Sequence, residues 1–184
     1  MGLRLDRVPL HTPRLTLVPF DDKHAAAAWE AIEASLAELR PWLVWTGSTS
    51  RRAVADFIGS CPHAWRAGSA FAFGVFDGDE LIGSCSLAIH NQNLTQGEVG
   101  YWLRSDRAGN GLMTEAARAI RDFAFDTAGR HRLNLRAGTE NIPSQRVAEK
   151  IGFTREGTMR AGGSGAAAHY DCHFYGMLAS DPRP

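Results

Sequence analysis

Apolar positions along the chain switch repeatedly between two periods, and the switches divide it into strands and helices. Arg14-Leu-Thr-Leu-Val-Pro19 alternates like a short strand, ended by a proline that cannot donate to a ladder. Asp21 or Asp22 can cap a helix through the alanines to about Leu39, where Pro41 stops it. A second helix starts near Ser50, carries Val54, Phe57 and Ile58 at helical spacing with Trp65 late, and ends near Gly68. Ala70 to Phe76 is strand-like, Asp77-Gly78-Asp79 signals a hairpin turn, and Glu80 to Ile89 returns as its partner. Asn91 to Gly97 forms another polar turn, and Glu98-Val-Gly-Tyr-Trp-Leu103 is the third strand of a meander. The helix from about Leu112 to Thr127 buries Ala116, Ile120, Phe123 and Ala124 on one stripe. Arg132 to Arg136 reads as a strand, followed by a short helix from Ser144 to Ile151. Gly152 to Gly157 and His169 to Leu178 pair as the last two strands, and Ala161 to Ala168 is a flexible small-residue loop between them.

This order predicts a single α/β domain, a mixed sheet with helices on both faces. At 184 residues the chain is long enough for one substantial core. Lys plus Arg and Asp plus Glu each number 20, so no global field recruits nucleic acid or an anionic membrane. Cys61, Cys85 and Cys172 are scattered and odd in number, which argues for a reducing compartment and against a disulfide framework. They read as small apolar fillers, since none has a recognisable histidine partner. No apolar run approaches a membrane span and the first residues open no signal peptide, so the expected location is the cytoplasm.

The densest local signal is Gly100-Tyr-Trp-Leu-Arg-Ser-Asp-Arg-Ala-Gly-Asn-Gly-Leu-Met-Thr-Glu-Ala-Ala117, a strand, a glycine-rich turn and a helix start. Gly109 and Gly111 let the backbone curl so that successive N–H groups converge, and the helix N-terminus adds its dipole. Such a turn suits a phosphate. A nucleoside-triphosphate loop would need a lysine after Gly111, and there is none. A dinucleotide fingerprint would need a third glycine; Glu140 would be its acid, about 30 residues on. A tight turn that binds nothing is the third reading, and the glycines alone do not choose.

A second dense element, Glu140-Asn-Ile-Pro-Ser-Gln-Arg-Val-Ala-Glu-Lys-Ile-Gly-Phe153, lies downstream. With Glu98 to Leu103, the glycine turn and Thr114-Glu-Ala, it resembles the GNAT acyl-CoA N-acyltransferase superfamily, in its RimJ/RimL-like branch of ribosomal-protein N-terminal acetyltransferases. Thr12-Pro-Arg-Leu-Thr-Leu, Glu80-Leu-Ile-Gly and Tyr170-Asp-x-x-x-Tyr175 extend the similarity over nearly the whole chain. The resemblance implies one largely antiparallel domain over residues 1–184, with a flexible tail from about 180. It implies acetyl-CoA as co-substrate, the amides of Arg107, Ala108, Gly109, Asn110, Gly111, Leu112 and Met113 around its pyrophosphate, and backbone groups of Tyr101 to Arg104, Leu103 among them, along its pantetheine arm. The family's turn opens with Gln or Arg where this chain has Asp106. Arg107, Arg146 or Lys150 would meet the 3′-phosphate, and all three equally suit a solvated helix surface.

Asn141 and Ser144 match the family's Asn-x-x-Ser element, with the asparagine on the cofactor and Ser144 the candidate proton donor to the departing thiolate. They also look like ordinary helix-start residues, with Pro143 in the first turn. Glu98, beside the thioester channel, is the candidate general base; a hairpin-edge carboxylate is its plainer reading. Tyr175 is an alternative donor, or a core tyrosine. His169, Asp171 and His173 share one strand face, but no second ligand cluster joins them and no metal is expected. Trp42, Trp45 and the loop before the last strand would border the acceptor. The expected activity is direct acetyl transfer to a primary amine, a protein N-terminus or a small amine, and subunits of the family often pair. A non-catalytic acyl-CoA-binding domain is the rival.

Overall fold

Eight strands form one sheet: β1 (Leu10–His11), β2 (Thr16–Pro19), β3 (Ala70–Asp77), β4 (Glu80–Asn91), β5 (Gln96–Leu103), β6 (Arg132–Gly138), β7 (Thr154–Ser164) and β8 (His169–Leu178). Their spatial order is β1-β2-β3-β4-β5-β6-β8-β7. Every neighbouring pair is antiparallel except β5 and β6. The helices are α1 (Ala25–Glu33), α2 (Leu36–Leu39), α3 (Arg51–Ala67), α4 (Leu112–Asp122) and α5 (Ile142–Lys150). These details come from a computed structural model that describes residues 5–91 and 95–184. Residues 92–94, inside the expected second polar turn, lie outside the described residues.

Alternation along the strands divides the core in two. Phe71, Phe73 and Val75 join Ile82, Leu87 and Val99 under α4 and α5, whereas Ala72, Phe20 and Leu81 pack with Ala28, Ile32, Val54 and Ile58 of α1 and α3. Helices therefore cover both faces, as the order of elements predicts. The ends of α3 follow local chemistry: the Ser50 hydroxyl accepts from the Ala53 amide at 3.2 Å, and Gly68 closes the helix at φ 65°. No helix among the described residues is long and apolar enough to cross a membrane.

Three expectations need correction. The helix foreseen from Asp21 to Leu39 is broken. Asp21 caps a 3-10 turn, α1 ends at Glu33, and Ser35 leaves helical geometry at φ −131°. The buried Ser35 hydroxyl is taken by the amide of Ser105 at 2.9 Å, a tertiary bond that local propensity does not reveal. The small-residue loop is also shorter than expected. β7 runs on to Ser164 through an irregular register, with Ala161 at φ 50° and its amide held by Asp171 at 2.9 Å. The remaining turn is pinned to the segment after α2, because the Ala166 amide donates to the Arg40 carbonyl at 2.8 Å.

The end of the chain, expected to trail freely from about residue 180, is tied to α4 and the π-helical turn after it. Arg183 pairs with Asp126 at 2.7 Å and lies over the Phe125 ring, while Arg118 donates to the Pro184 carbonyl at 3.1 Å.

Trp65 closes the core where α3 meets the sheet. Its ring stands edge-on to Phe71 and Phe73 with centroids 5.0 and 5.2 Å away, and its Nε1–H donates to the Leu5 carbonyl at 2.8 Å. Trp65→Ala is expected to cost about 3–5 kcal/mol, read as a lower urea midpoint. A loss under about 1 kcal/mol would mean that the cluster is not what anchors α3.

Candidate active site

The one parallel register, Gln96↔Arg132, Gly97↔Leu133 and Glu98↔Asn134, is only three pairs long. Beyond it β5 stays on β4 as far as Leu103 and β6 stays on β8 as far as Gly138. The sheet therefore splits from Val99 onward, and alternate backbone groups of β5 face the opening without a strand partner. The Arg104 amide is not among them, since it donates to the Ile82 carbonyl at 2.8 Å.

At the wide end of the split β5 enters the glycine turn. Arg107 and Ala108 spend their amides inside a 3-10 turn, on the carbonyls of Arg104 and Ser105 at 3.1 and 3.2 Å. Neither joins the cradle as expected. Gly109 and Gly111 take φ of 83° and 75°, a region costly for other residues. Glu115 is the first residue of α4 whose amide finds an acceptor, the Gly111 carbonyl at 3.1 Å. Among the described residues the amides from Gly109 to Thr114 have no protein acceptor. Leu112 and Met113 bury their side chains, so they offer this turn only backbone. Six bare donors at the positive end of a helix suit an anion.

The side chains flanking the turn are committed elsewhere. Arg107 pairs with Asp77 and Glu80, and Arg104 pairs with Glu80 and Asp106. The hydrogen bond from Arg104 holds the Asp106 carboxyl below its ordinary range. Arg107 is thus not a spare cation for a phosphate. Arg146 and Lys150, both exposed on α5, carry no ion pair among the described residues.

What fixes the turn is a residue not singled out for that task, Glu115. Its Oε1 accepts from the Thr12 hydroxyl at 2.6 Å and the Arg14 amide at 2.9 Å; its Oε2 accepts from Arg14 Nε at 2.7 Å. Arg14 Nη1 also donates to the Asn110 carbonyl at 3.0 Å. The Thr12-Pro-Arg14 motif is a brace on the glycine turn. A groove of about 790 Å³ runs between this segment and α4, touching Gly111, Thr114, Arg118 and Lys150.

At the vertex the two faces carry different chemistry. On the α5 side the Tyr101 hydroxyl lies 3.0 Å from Ser144 Oγ and 3.1 Å from its carbonyl. Burial pushes the Tyr101 phenol well above its ordinary range, so it stays a donor at neutral pH. Asn141 Oδ1 accepts from the Ser144 amide at 3.2 Å, which is the helix-cap geometry. Tyr175 points elsewhere, with its hydroxyl 3.5 Å from Glu149. On the other side of the sheet Glu98 Oε1 receives Nε and Nη2 of Arg136 at 2.9 and 2.8 Å, and its Oε2 lies 3.1 Å from His90 Nε2. Glu98 and Ser144 flank the vertex from opposite faces. Tyr101 was expected to lend only its backbone, so its hydroxyl went unnoticed, as did His90. Strand parity placed Tyr101 on the face of Val99, but its reach to Ser144 needed the fold.

Beyond β6, Trp42 stands edge-on to Tyr170, centroids 5.6 Å apart, and the Tyr170 hydroxyl donates to the Trp42 carbonyl at 2.7 Å. Trp45 is exposed on the same segment. His169, Asp171 and His173 are separately engaged by Ser164, the Ala161 amide and Thr158. Among the described residues no three His, Cys, Asp or Glu side chains converge as metal ligands.

A mixed sheet that parts at its single parallel pair, with a bare amide turn at the mouth, is the frame of an acyl-transfer domain. The chain belongs to the acetyltransferase (GNAT) domain family, which matches residues 14–154. It is 28% identical over 169 residues to the [ribosomal protein uS5]-alanine N-acetyltransferase of Escherichia coli strain K12, covering 82% of this chain and 80% of that one. To the ribosomal-protein-serine acetyltransferase of the same organism it is 30% identical over 112 residues, 60% of this chain and 62% of the relative. Matches to three Bacillus proteins span only 51–61% of those relatives' length. Its fold is that of RimL, a ribosomal L7/L12 alpha-N-protein acetyltransferase solved with coenzyme A, at TM-score 0.87 and 21% identity over 93% of this chain and 98% of that one.

The Glu115 brace has a pH signature. Burial alone would raise its carboxyl, but the bonds from Thr12 and Arg14 outweigh burial and hold it below the ordinary glutamate value. The stability it contributes is therefore complete above the unfolded pKa and is lost as pH falls through the lower folded value. Glu115→Gln is expected to cost about 1–3 kcal/mol at neutral pH. The gap to wild type should close below about pH 4, as measured by thermal unfolding across pH. A gap that does not narrow as the pH falls below about 4 would contradict the brace.

Proposed function

We propose that this protein transfers an acetyl group from acetyl-CoA directly to a primary amine, most readily the N-terminal α-amine of a protein such as a ribosomal protein. The observation that carries this reading is the split itself, which has anion-binding amides at its mouth and titratable side chains on both faces of its vertex. Five residues, roughly 17 Å of strand, separate Leu103 from Glu98, so a long, thin donor anchored at the turn reaches the vertex. The bare amides of Gly109 to Met113 and the exposed cations Arg146 and Lys150 suit the phosphates of coenzyme A. The open edge of β5 from Val99 to Leu103 suits the amides of its arm. Acetyl-CoA supplies the activated acyl group. The chain's own groups orient it, and Ser144, held against Tyr101, is placed to protonate a thiolate on the α5 side.

The acceptor enters from the other face, past Trp42 and Tyr170, where aromatic walls suit a peptide. Two relatives that acetylate serine or alanine of ribosomal proteins support a protein acceptor. A cytoplasmic setting belongs to the same proposal, supported by three buried cysteines without disulfides. Pairing of two copies belongs to it also, carried by the family resemblance.

The deciding measurement is free-thiol release from acetyl-CoA over a panel of N-terminal peptides and small amines. Peptide-dependent release is expected. Tight acetyl-CoA binding with no release above background for any acceptor would overturn the enzyme in favour of an acyl-CoA-binding domain. With the best acceptor, Ser144→Ala and Tyr101→Phe should each lower kcat by about 10- to 100-fold while acetyl-CoA affinity stays near wild type. Unchanged kcat in Ser144→Ala would remove it from the mechanism.

A further inference from the structure

Three ionisable side chains from three adjacent strands form a continuous chain on the acceptor face of the vertex. His90 on β4 contacts Glu98 on β5 at 3.1 Å, and Glu98 is held in turn by Arg136 on β6 at 2.8 Å. Their exposure is uneven. The His90 side chain is 62% exposed and that of Glu98 only 23%. Both Glu98 oxygens already accept a hydrogen bond or an imidazole contact. The bond from Glu98 raises the Arg136 pKa above its ordinary value, so this guanidinium stays charged beside the carboxylate. A carboxylate with both oxygens occupied by neighbours on β4 and β6 is placed to orient an imidazole rather than to meet an incoming amine itself.

We propose that His90, not Glu98, accepts the proton from the incoming ammonium, with Glu98 positioning its ring and Arg136 positioning Glu98. The proposal rests on reading the split as the acyl-transfer site. His90 donates Nε2–H to Glu98 Oε2 and presents the Nδ1 lone pair to the acceptor. One proton of the ammonium passes to Nδ1 and then to bulk water. The freed nitrogen pair forms the N–C bond as the C–S bond breaks. The second proton of the nitrogen leaves by the same imidazole to water, while the Ser144 hydroxyl protonates the departing thiolate and is refilled from water, so that one proton is released overall. Glu98 ends the cycle as the carboxylate it began. The ionisable groups facing this chain are Cys172, buried close enough to feel both Glu98 and Arg136, and Tyr170, which feels Arg136. Among the described residues no other ionisable side chain contacts His90.

The test compares wild type with His90→Gln, His90→Ala and Glu98→Gln as full-length protein, using the best acceptor of the panel from pH 6 to 9.5. His90→Gln keeps a donor toward Glu98 but no proton-accepting nitrogen. It should lower kcat/KM for the amine about 100-fold at pH 7 and leave the KM for acetyl-CoA within twofold. The deficit should shrink above about pH 8, where an α-amine loses its proton unaided. Added imidazole should partly restore His90→Ala. Activity of His90→Gln within twofold of wild type at pH 7, or a deficit of equal size at every pH, would overturn the proposal. Should no acceptor be acetylated by wild type, the wider reading of function fails. The histidine is then judged by nitrogen NMR of the ring. A neutral ring protonated on Nε2, losing that preference in Glu98→Gln, upholds the arrangement; a ring protonated on Nδ1 overturns it.

Discussion

The structure turns on a parallel pairing that stops too soon. Antiparallel neighbours on either side hold β5 and β6 along their full length, yet the two strands share only three paired positions, ending at Glu98↔Asn134. Buried backbone groups that lose a strand partner need another acceptor or donor, or water. An open edge in the middle of a sheet is therefore an energetic cost accepted for a purpose. The purpose is a slot with a narrow end, where side chains from both faces can meet across a few ångströms. Tyr101–Ser144 spans it on one face and Glu98–Arg136 on the other.

A slot helps only if its far end is fixed, and the chain uses the link between β1 and β2 for that. Thr12 and Arg14 converge on Glu115 in the first turn of α4, and Arg14 also holds the Asn110 carbonyl. Occupying the loop's carbonyl and helix side chains from one direction leaves its amides bare in another. The same economy appears at Ser35. The hydroxyl that breaks the first helix meets the Ser105 amide at the entrance to the turn, tying the segment bearing Trp42 to the glycine turn. The Trp42 segment and the bare amides thus belong to one connected framework.

Much of this was legible in the chain, because strand and helix periods are local. The meander, the span of α3 between Ser50 and Gly68, and the strand–glycine–helix transition follow from period, caps and positive-φ glycines. The single-domain mixed sheet follows from their order. What stayed hidden was set by partners distant in sequence. Ser35 is an adequate helix residue until Ser105 claims it. The glycines after Met159 look like a linker until β8 supplies a ladder. Arg107 reads as a phosphate ligand until the β3–β4 hairpin presents Asp77 and Glu80. Glu115 looked like one more residue of the helix start, although Thr12-Pro-Arg14 was already marked as a motif without a task.

The residues at the vertex show why parity matters more than proximity in sequence. Glu98 and Tyr101 are three apart on one strand, an odd spacing, so their side chains leave opposite faces of the sheet. Proton removal from an amine and proton delivery to a thiolate are opposite demands, and one group serving both would need to change its charge state within the cycle. Separation by the sheet lets each demand have its own surroundings. On the reading proposed above the thiolate takes the buried side, where a phenol stays protonated beside Ser144. The amine takes the side that is open to water at His90. The three-residue parallel register makes that division possible, because it ends where Glu98 still meets Arg136 of β6 and leaves Tyr101, beyond the last pair, to reach Ser144.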